Sequence, residues 1–556
     1  MTRPSQTIAA ARLVHAAVAA LFVAGVLGTV VAPENSSAAI ALGWLTGGVV
    51  TYALVAWSAA SPGRWLRVGY GVVAAAAITA AYAVVQYRYL QFPDKVGLIV
   101  QLGETLSAWS PAFDLWRPFA NSLATLLEGM LPLAVGLAVA GAPRSRRAAA
   151  GAGAVIALAL LLSASRGAWL AEGFVAAVAA AAVWRRTGGS GRPIVPLAAG
   201  LLLAALTGLT LLAASEAFSP GGSPVDWLQR PDRQAIHGHA LMLARDFPFT
   251  GVGMGDAFAT ALARHSLLIE VPFLTYAHHL WLDVWLELGV LGLLALTALA
   301  AAIVAGAVAG EKASLGPAFR GAYLGVFAVL FHGLSDWRPA VDGWTWLSLF
   351  ALLGLMAARL GSRPAPRWAP AAMALSTGAA ALAVAVWIWP LGAAWHVNRG
   401  GLAELSARLA GSSGVAALAA GEPHYRAALA IDPAQATAHR RLGILASARD
   451  DAATAVSHLE ASFEAAPESW PTRKALGLAY VWAGRTADAE LLLRSLAHDD
   501  EMVRELDTWS WWQEQRGRPR DALMAAEVGN RLSPSPQRAA RLALLLRSSQ
   551  PEARLR

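Results

Sequence analysis

The 556-residue chain has no cysteine, and only 14% of its residues are charged. Without cysteine there is no disulfide framework, no thiolate metal site and no cysteine nucleophile. Soluble domains carry about 25% charged residues, so this supply cannot coat a soluble globule of such size. Disorder is excluded too, because a disordered chain is poor in apolar residues and this one is 56% hydrophobic. The mean hydropathy is +0.48. The apolar residues fall in long blocks, the pattern of a polytopic α-helical membrane protein. The formal charge of +8 would in such a protein sit in cytoplasmic loops, so nucleic acid is not an expected partner.

A helix needs about 20 apolar residues to cross a bilayer. Eleven stretches qualify: 10–32, 38–60, 66–87, 120–141, 147–164, 167–184, 193–215, 278–309, 318–334, 343–360 and 370–395. The first is longer than a signal-peptide core and a second span follows at once, so it is read as a retained helix. With the N-terminus inside, the inside connections hold fifteen Lys and Arg and the short outside ones hold five. That asymmetry sets the orientation. Eleven spans then put the C-terminal region outside, and a miscount of one would reverse it. Two outside loops are long, 88–119 and about 216–276. A loop of the second length is expected to be functional.

After Trp395 charges become frequent and the pattern turns amphipathic. Pro433 and Pro467, Gly443 and Gly477, and Ala455 and Ala489 are each 34 residues apart. The run Leu476-Gly477-Leu478-Ala479-Tyr480 has the core pattern of a tetratricopeptide repeat. Stacked helix pairs of that period bury faces that one pair cannot bury alone. The expected organisation is a transmembrane domain over 1–395, a linker over 396–419 and an all-α tetratricopeptide-like solenoid over 420–556. Such a solenoid binds a peptide or protein partner.

Polar residues near lipid are the candidates for chemistry. Glu128, Glu172, Asp283, Glu287 and His332 fall at membrane depth. Ser163-Ala164-Ser165-Arg166-Gly167 is a very short outside turn, so Arg166 projects a fixed charge at the interface. Its planar fork suits phosphate oxygens, although headgroup snorkelling needs the same residue. The long loop holds Arg233 and the run Phe247-Pro248-Phe249-Thr250-Gly251-Val252-Gly253-Met254-Gly255. No strand clearly precedes those glycines, so the run is not read as a nucleotide loop. Tyr276-Ala277-His278-His279-Leu280-Trp281 stands where the chain re-enters the membrane. Adjacent histidines on a helix diverge, so they are not read as a metal site.

Together, Ser-x-Ser-Arg-Gly, the loop arginine, Pro-x-x-Gly-Val-Gly and Ala-His-His-Leu-Trp-Leu…Glu-Leu-Gly-Val-Leu-Gly resemble the O-antigen ligase/polymerase superfamily over roughly 110–360. The resemblance implies a bacterial inner-membrane glycosyltransferase of the ligase, polymerase or protein O-oligosaccharyltransferase kind. It would move a glycan from an undecaprenyl-diphosphate carrier to a glycan, lipid or protein acceptor on the periplasmic face. It carries over His278 as the base that activates the acceptor hydroxyl, and Arg166 and Arg233 as holders of the carrier diphosphate. Further candidates for substrate contact are Arg117, Asn121, Arg245, Tyr276 and His279, with Asp336 and Arg338 on the same outside face.

Elementary chemistry agrees with the resemblance. A diphosphate leaves readily when its charge is held, which two guanidinium groups do without a metal or other cofactor. A histidine can take a hydroxyl proton near neutral pH. The competing readings are a chain-extending polymerase with the same site, a transporter and a membrane-anchored scaffold. No inverted repeat supports transport, and eleven spans exceed what anchoring needs.

Overall fold

The computed structural model describes residues 3–32, 35–90, 97–113, 119–186, 231–255, 258, 261–262, 276–336, 343–361, 392–496 and 500–549. The expected span 193–215, most of 370–395, Arg117 and Arg338 lie outside the described residues. Every regular element among the described residues is a helix. The chain divides into two compact units. One comprises Met1–Ala244, Thr250–Ala259 and Leu274–Ala383; the other comprises Arg245–Phe249, Thr260–Phe273 and Val384–Arg556.

The first unit is built from α1 (Arg3–Val31), α2 (Asn35–Ser58), α3 (Pro62–Val85), α4 (Gly97–Ser107), α5 (Ala120–Glu128), α6 (Met130–Ala140), α7 (Pro143–Leu162), α8 (Arg166–Arg186), most of α9 (Pro231–Asp246), α10 (Leu280–Lys312), α11 (Pro317–His332) and α12 (Trp344–Leu360). Proline sits at the start of α3, α7 and α11, where its missing N–H is no loss. Among the described residues, six helices are long and apolar enough to cross a membrane: Gln6–Val31, Ser37–Ser58, Pro62–Val85, Ala120–Ala140, Pro143–Leu162 and Leu280–Lys312. Val30, Trp57 and Ile78 remain exposed on α1 to α3, which suits contact with lipid and not with water. The outside loop expected over 88–119 contains α4, which buries Ile99 and leaves Leu98 and Leu102 exposed.

Packing follows small residues. α1 runs along α10 and α2 along α12. α11 crosses α5 and α6 with Gly321 against Pro132 and Gly325 against Gly129, so closely that a Cβ at either would overlap backbone. Close backbone approach of this kind is how helices associate where lipid removes the hydrophobic drive. α10 is kinked at Gly289, whose φ of 67° lies in the left-handed region.

The second unit continues with α13 (Gly392–Leu409), α14 (Gly414–Ile431), α15 (Ala436–Ala448), α16 (Ala452–Ala465), α17 (Trp470–Trp482), α18 (Thr486–Arg494), α19 (Asp500–Gln515), α20 (Pro519–Leu532) and α21 (Pro536–Ser549). The stretch expected as a linker, 396–419, is mostly helical, in α13 and the start of α14. From α13 to α18, and again from α19 to α21, each helix packs on the next. The 34-residue spacing has a physical counterpart. Gly443 on α15 faces Leu459 on α16, and Gly477 on α17 faces Leu493 on α18. In the following pair Ser510 stands at this place, and its hydroxyl donates to the Ala522 carbonyl at 2.9 Å. Buried charges in this unit are paired, Arg441 with Glu404, Arg440 with Asp246 and Lys474 with Glu505. Removing one partner of such a pair leaves an uncompensated charge.

A side chain at Gly477 must displace Leu493, which a Cβ would approach within 2.5 Å. Gly477→Val is expected to destabilise the helix pair by about 1–3 kcal/mol. The check is thermal unfolding of the full chain in detergent, followed by tryptophan fluorescence. A variant that melts like the parent would show that the pair has room to spare.

Candidate functional site

The histidine pair does not lie on the helix. α10 begins at Leu280, two residues later than the expected start at His278, and His279 is its N-cap. The reason is Asp283. Its carboxylate accepts the backbone N–H of Ala277 at 2.7 Å and of His279 at 3.3 Å. The strap Tyr276–His279 is therefore folded back onto the first turn of α10, in the manner of a capping box. His278 takes a φ of 53° there, a strained conformation for a residue with a side chain. The N–H of Leu280 donates to the Gly333 carbonyl at 2.7 Å, which ties the strap to the end of α11.

Just past that end stands Asp336, 6% exposed. Its carboxylate gathers three donors. His278 Nδ1–H donates to Oδ1 at 3.1 Å, the Tyr276 hydroxyl to the same oxygen at 3.0 Å, and Asn121 Nδ2 to Oδ2 at 2.6 Å. The Tyr276 and His278 rings lie 3.8 Å apart between centroids. A carboxylate can only accept, so Nδ1 of His278 carries the proton and Nε2 is left as the basic nitrogen. The His278 side chain is 25% exposed while that of Asp336 is 8% exposed. The accessible partner of the pair is thus the histidine.

Arg166 opens α8 after a tight turn in which Ala164 has a φ of 49°. Next to it, Gly167 packs against His332 and Ser335 at the C-terminal end of α11. That same end leads into Asp336, so one helix terminus abuts both the arginine turn and the His278 partner. Arg233 lies in the first turn of α9; its side chain is outside the described residues. His237 follows four residues later, on the same helix face. The His237 ring meets the His279 ring edge-on at 5.5 Å.

Of the other sequence candidates, Tyr276 and Asn121 serve to hold Asp336. Arg245 is exposed in the last turn of α9 and belongs to the second unit. Burial first, then the charge of His237, push the His279 imidazole below its ordinary value. The sequence marked Asp336 only as a polar residue on the outside face and did not mark His237. A spacing of four between Arg233 and His237 on a helical pattern was the one available signal.

The glycine run is a docking turn. Gly251, Gly253 and Gly255 all have positive φ. The Val252 N–H donates to the Leu286 carbonyl at 2.7 Å and the Met254 N–H to the Gly28 carbonyl at 3.2 Å. The kink at Gly289 takes the Leu286 carbonyl out of the regular ladder of α10, and Val252 takes it up. A Cβ at Gly251 or Gly253 would run into α10 or Ala32. The glycines are explained by close backbone approach.

The fold and this centre define a polytopic helical membrane protein with a histidine–carboxylate site at the ends of its helices. Residues 151–297 match the family model described as O-Antigen ligase. The match over this stretch supports the O-antigen ligase/polymerase superfamily. The match spans Arg166, Arg233 and the His278–His279 strap. No curated protein matches the chain.

Removing His237 takes away a cause of the depressed His279 titration but leaves burial in place. His237→Ala is expected to move the His279 midpoint upward, still below its ordinary value. Ring-labelled histidine NMR of the full chain reads this directly. An unmoved midpoint would mean that burial alone depresses the group.

Proposed function

We propose that the membrane unit transfers a glycan from an undecaprenyl-diphosphate carrier to an acceptor hydroxyl, with His278 as base and Arg166 and Arg233 on the diphosphate. The coarse part of this reading, a membrane glycosyl-transfer function of the ligase/polymerase type, is supported by the family match. The observation that carries the finer part is the Asp336 cradle, which holds His278 by Nδ1 and leaves Nε2 to an incoming group.

In this mechanism Nε2 of His278 takes the proton of the acceptor hydroxyl as its oxygen attacks the anomeric carbon. The bond from that carbon to the phosphate oxygen breaks, and the diphosphate leaves with its charge held by the two guanidinium groups. Asp336 stabilises the imidazolium through Nδ1–H, a role known from other histidine–carboxylate pairs. One displacement inverts the anomeric centre. The base then returns its proton to solvent. The diphosphate's lipid tail requires a site at the bilayer edge, where the Arg166 turn and the His278 strap are expected. A ligase and a chain-extending polymerase share all of these steps, and the product distinguishes them.

The 34-residue helix pairs are read as tetratricopeptide-like repeats that recruit a protein partner or acceptor. The site and the repeats are assigned to the periplasmic side of the inner membrane, with eleven spans in all. The second unit also takes in Asp246. This residue of the long outside loop pairs with Arg440 and accepts the Thr437 hydroxyl at 2.9 Å, all within the second unit.

The test is transfer by purified protein from a lipid-diphosphate-linked glycan to candidate acceptors, with and without EDTA. His278→Ala is expected to fold and to lose transfer, and EDTA to have no effect. Asp336→Asn is expected to lower kcat by about 10²–10⁴-fold, the range of general-base catalysis, with donor KM little changed. Arg233→Lys is expected to be severe, because an ammonium lacks the two-pronged contact. Parental turnover by His278→Ala would sink the assignment.

A further inference from the structure

His332 and Glu128 take no part in the proton transfer just described, yet both are at most 1% exposed. His332 Nδ1–H donates to a Glu128 carboxylate oxygen at 2.8 Å. The Thr125 hydroxyl oxygen lies 3.4 Å from the same nitrogen. The Ser335 hydroxyl donates back to the His332 carbonyl at 3.0 Å. The ring is thus fixed from α5 and from its own helix end. Its far edge, Cδ2 and Nε2, fills the space where a Cβ of Gly167 would be, and Ser335 Oγ stands 3.0 Å from that point.

Gly167 is the residue after Arg166. Its Cα rests on the imidazole, so the ring is a stop against which the first turn of α8 is set. The turn before it is tight and buried: Ser163, Ala164 and Ser165 are each no more than 1% exposed, and Ser163 Oγ donates to the Leu160 carbonyl at 2.7 Å. A displacement at Gly167 therefore cannot be absorbed behind Arg166 and is passed to it.

We propose that the Glu128–His332 pair positions the Ser163–Gly167 turn, and through it the guanidinium of Arg166 on the donor diphosphate. His332 is a positioning residue and touches no substrate. The proposal rests on the reading that Arg166 binds the diphosphate. It accounts for glycine after the arginine, and for a carboxylate–imidazole pair that a bilayer would otherwise make costly. A misplacement of about 1 Å at a binding group costs up to about 10²-fold in rate.

The test uses the full chain in liposomes, with donor KM, acceptor KM and kcat measured separately. Gly167→Ala pushes a methyl into the ring and is expected to raise donor KM about tenfold or more, with acceptor KM unchanged. Adding His332→Ala removes the obstacle and is expected to bring donor KM most of the way back. Glu128→Gln keeps a hydrogen-bond acceptor for His332 and is expected to stay near the parent, while Glu128→Ala raises donor KM. A parental donor KM for Gly167→Ala, or a defect that His332→Ala does not relieve, overturns the proposal. Failure of the underlying reading looks different, because Arg166→Lys would then leave donor KM unchanged. In that event a spin label decides, which the cysteine-free chain makes simple. On Arg166→Cys, a label whose mobility changes with Gly167→Ala upholds positioning, and an unchanged label refutes it.

Discussion

Asp336 is the point on which the membrane unit's site depends. A carboxylate buried to this degree is stable only if its oxygens are satisfied. Here the groups that satisfy it come from two separate parts of the chain, Asn121 from α5 and Tyr276 and His278 from the strap, while Asp336 itself follows α11. The cost of burying the carboxylate thus fixes three elements around one point. Its position follows from α11, whose glycines let it lie almost in backbone contact with α5 and α6. The close packing below and the hydrogen bonding above are one construction. Loosening the crossing would tilt the helix end, and with it the tautomer and direction of the His278 ring.

Much of this was legible in the sequence, and what was not has a common cause. Arg166, Gly167 and His278 stand in short local patterns, so residue type and neighbours suffice to mark them. Asp336 lies 58 residues beyond His278, and no periodicity links the two. Only helix packing brings them together. The same holds for His332 against Gly167. The sequence flagged His332 and Glu128 as ionisable groups at membrane depth, but each looked like an isolated liability until the fold paired them. The start of α10 was misjudged by two residues because apolar pattern cannot see a carboxylate reaching back to cap the strap.

The glycine run shows how one composition serves two kinds of argument. Three glycines at alternate positions suit a backbone that wraps a phosphate and equally one that must pass close to a helix. The missing strand spoke against the first. The positive φ values and the hydrogen bonds to Leu286 and Gly28 favour the second. The kink in α10 completes the account, since a straight helix would have offered Val252 no carbonyl. A break in α10 and a turn in the loop, 37 residues apart, are two halves of one hydrogen-bonding requirement.

In the sequence, the side on which the C-terminal helices lie follows from the parity of the span count. Asp246 is a loop residue with a partner in the second unit. It lies in the loop between the expected spans 193–215 and 278–309, and it is buried in an ion pair with Arg440. The pair closes within the second unit, to which Arg245–Phe249 belong although they stand at the end of α9 and just beyond it in the loop. One end of α9 carries Arg233 and the other ends in Asp246. α9 thus has a proposed diphosphate contact in its first turn and a buried ion pair at its last residue.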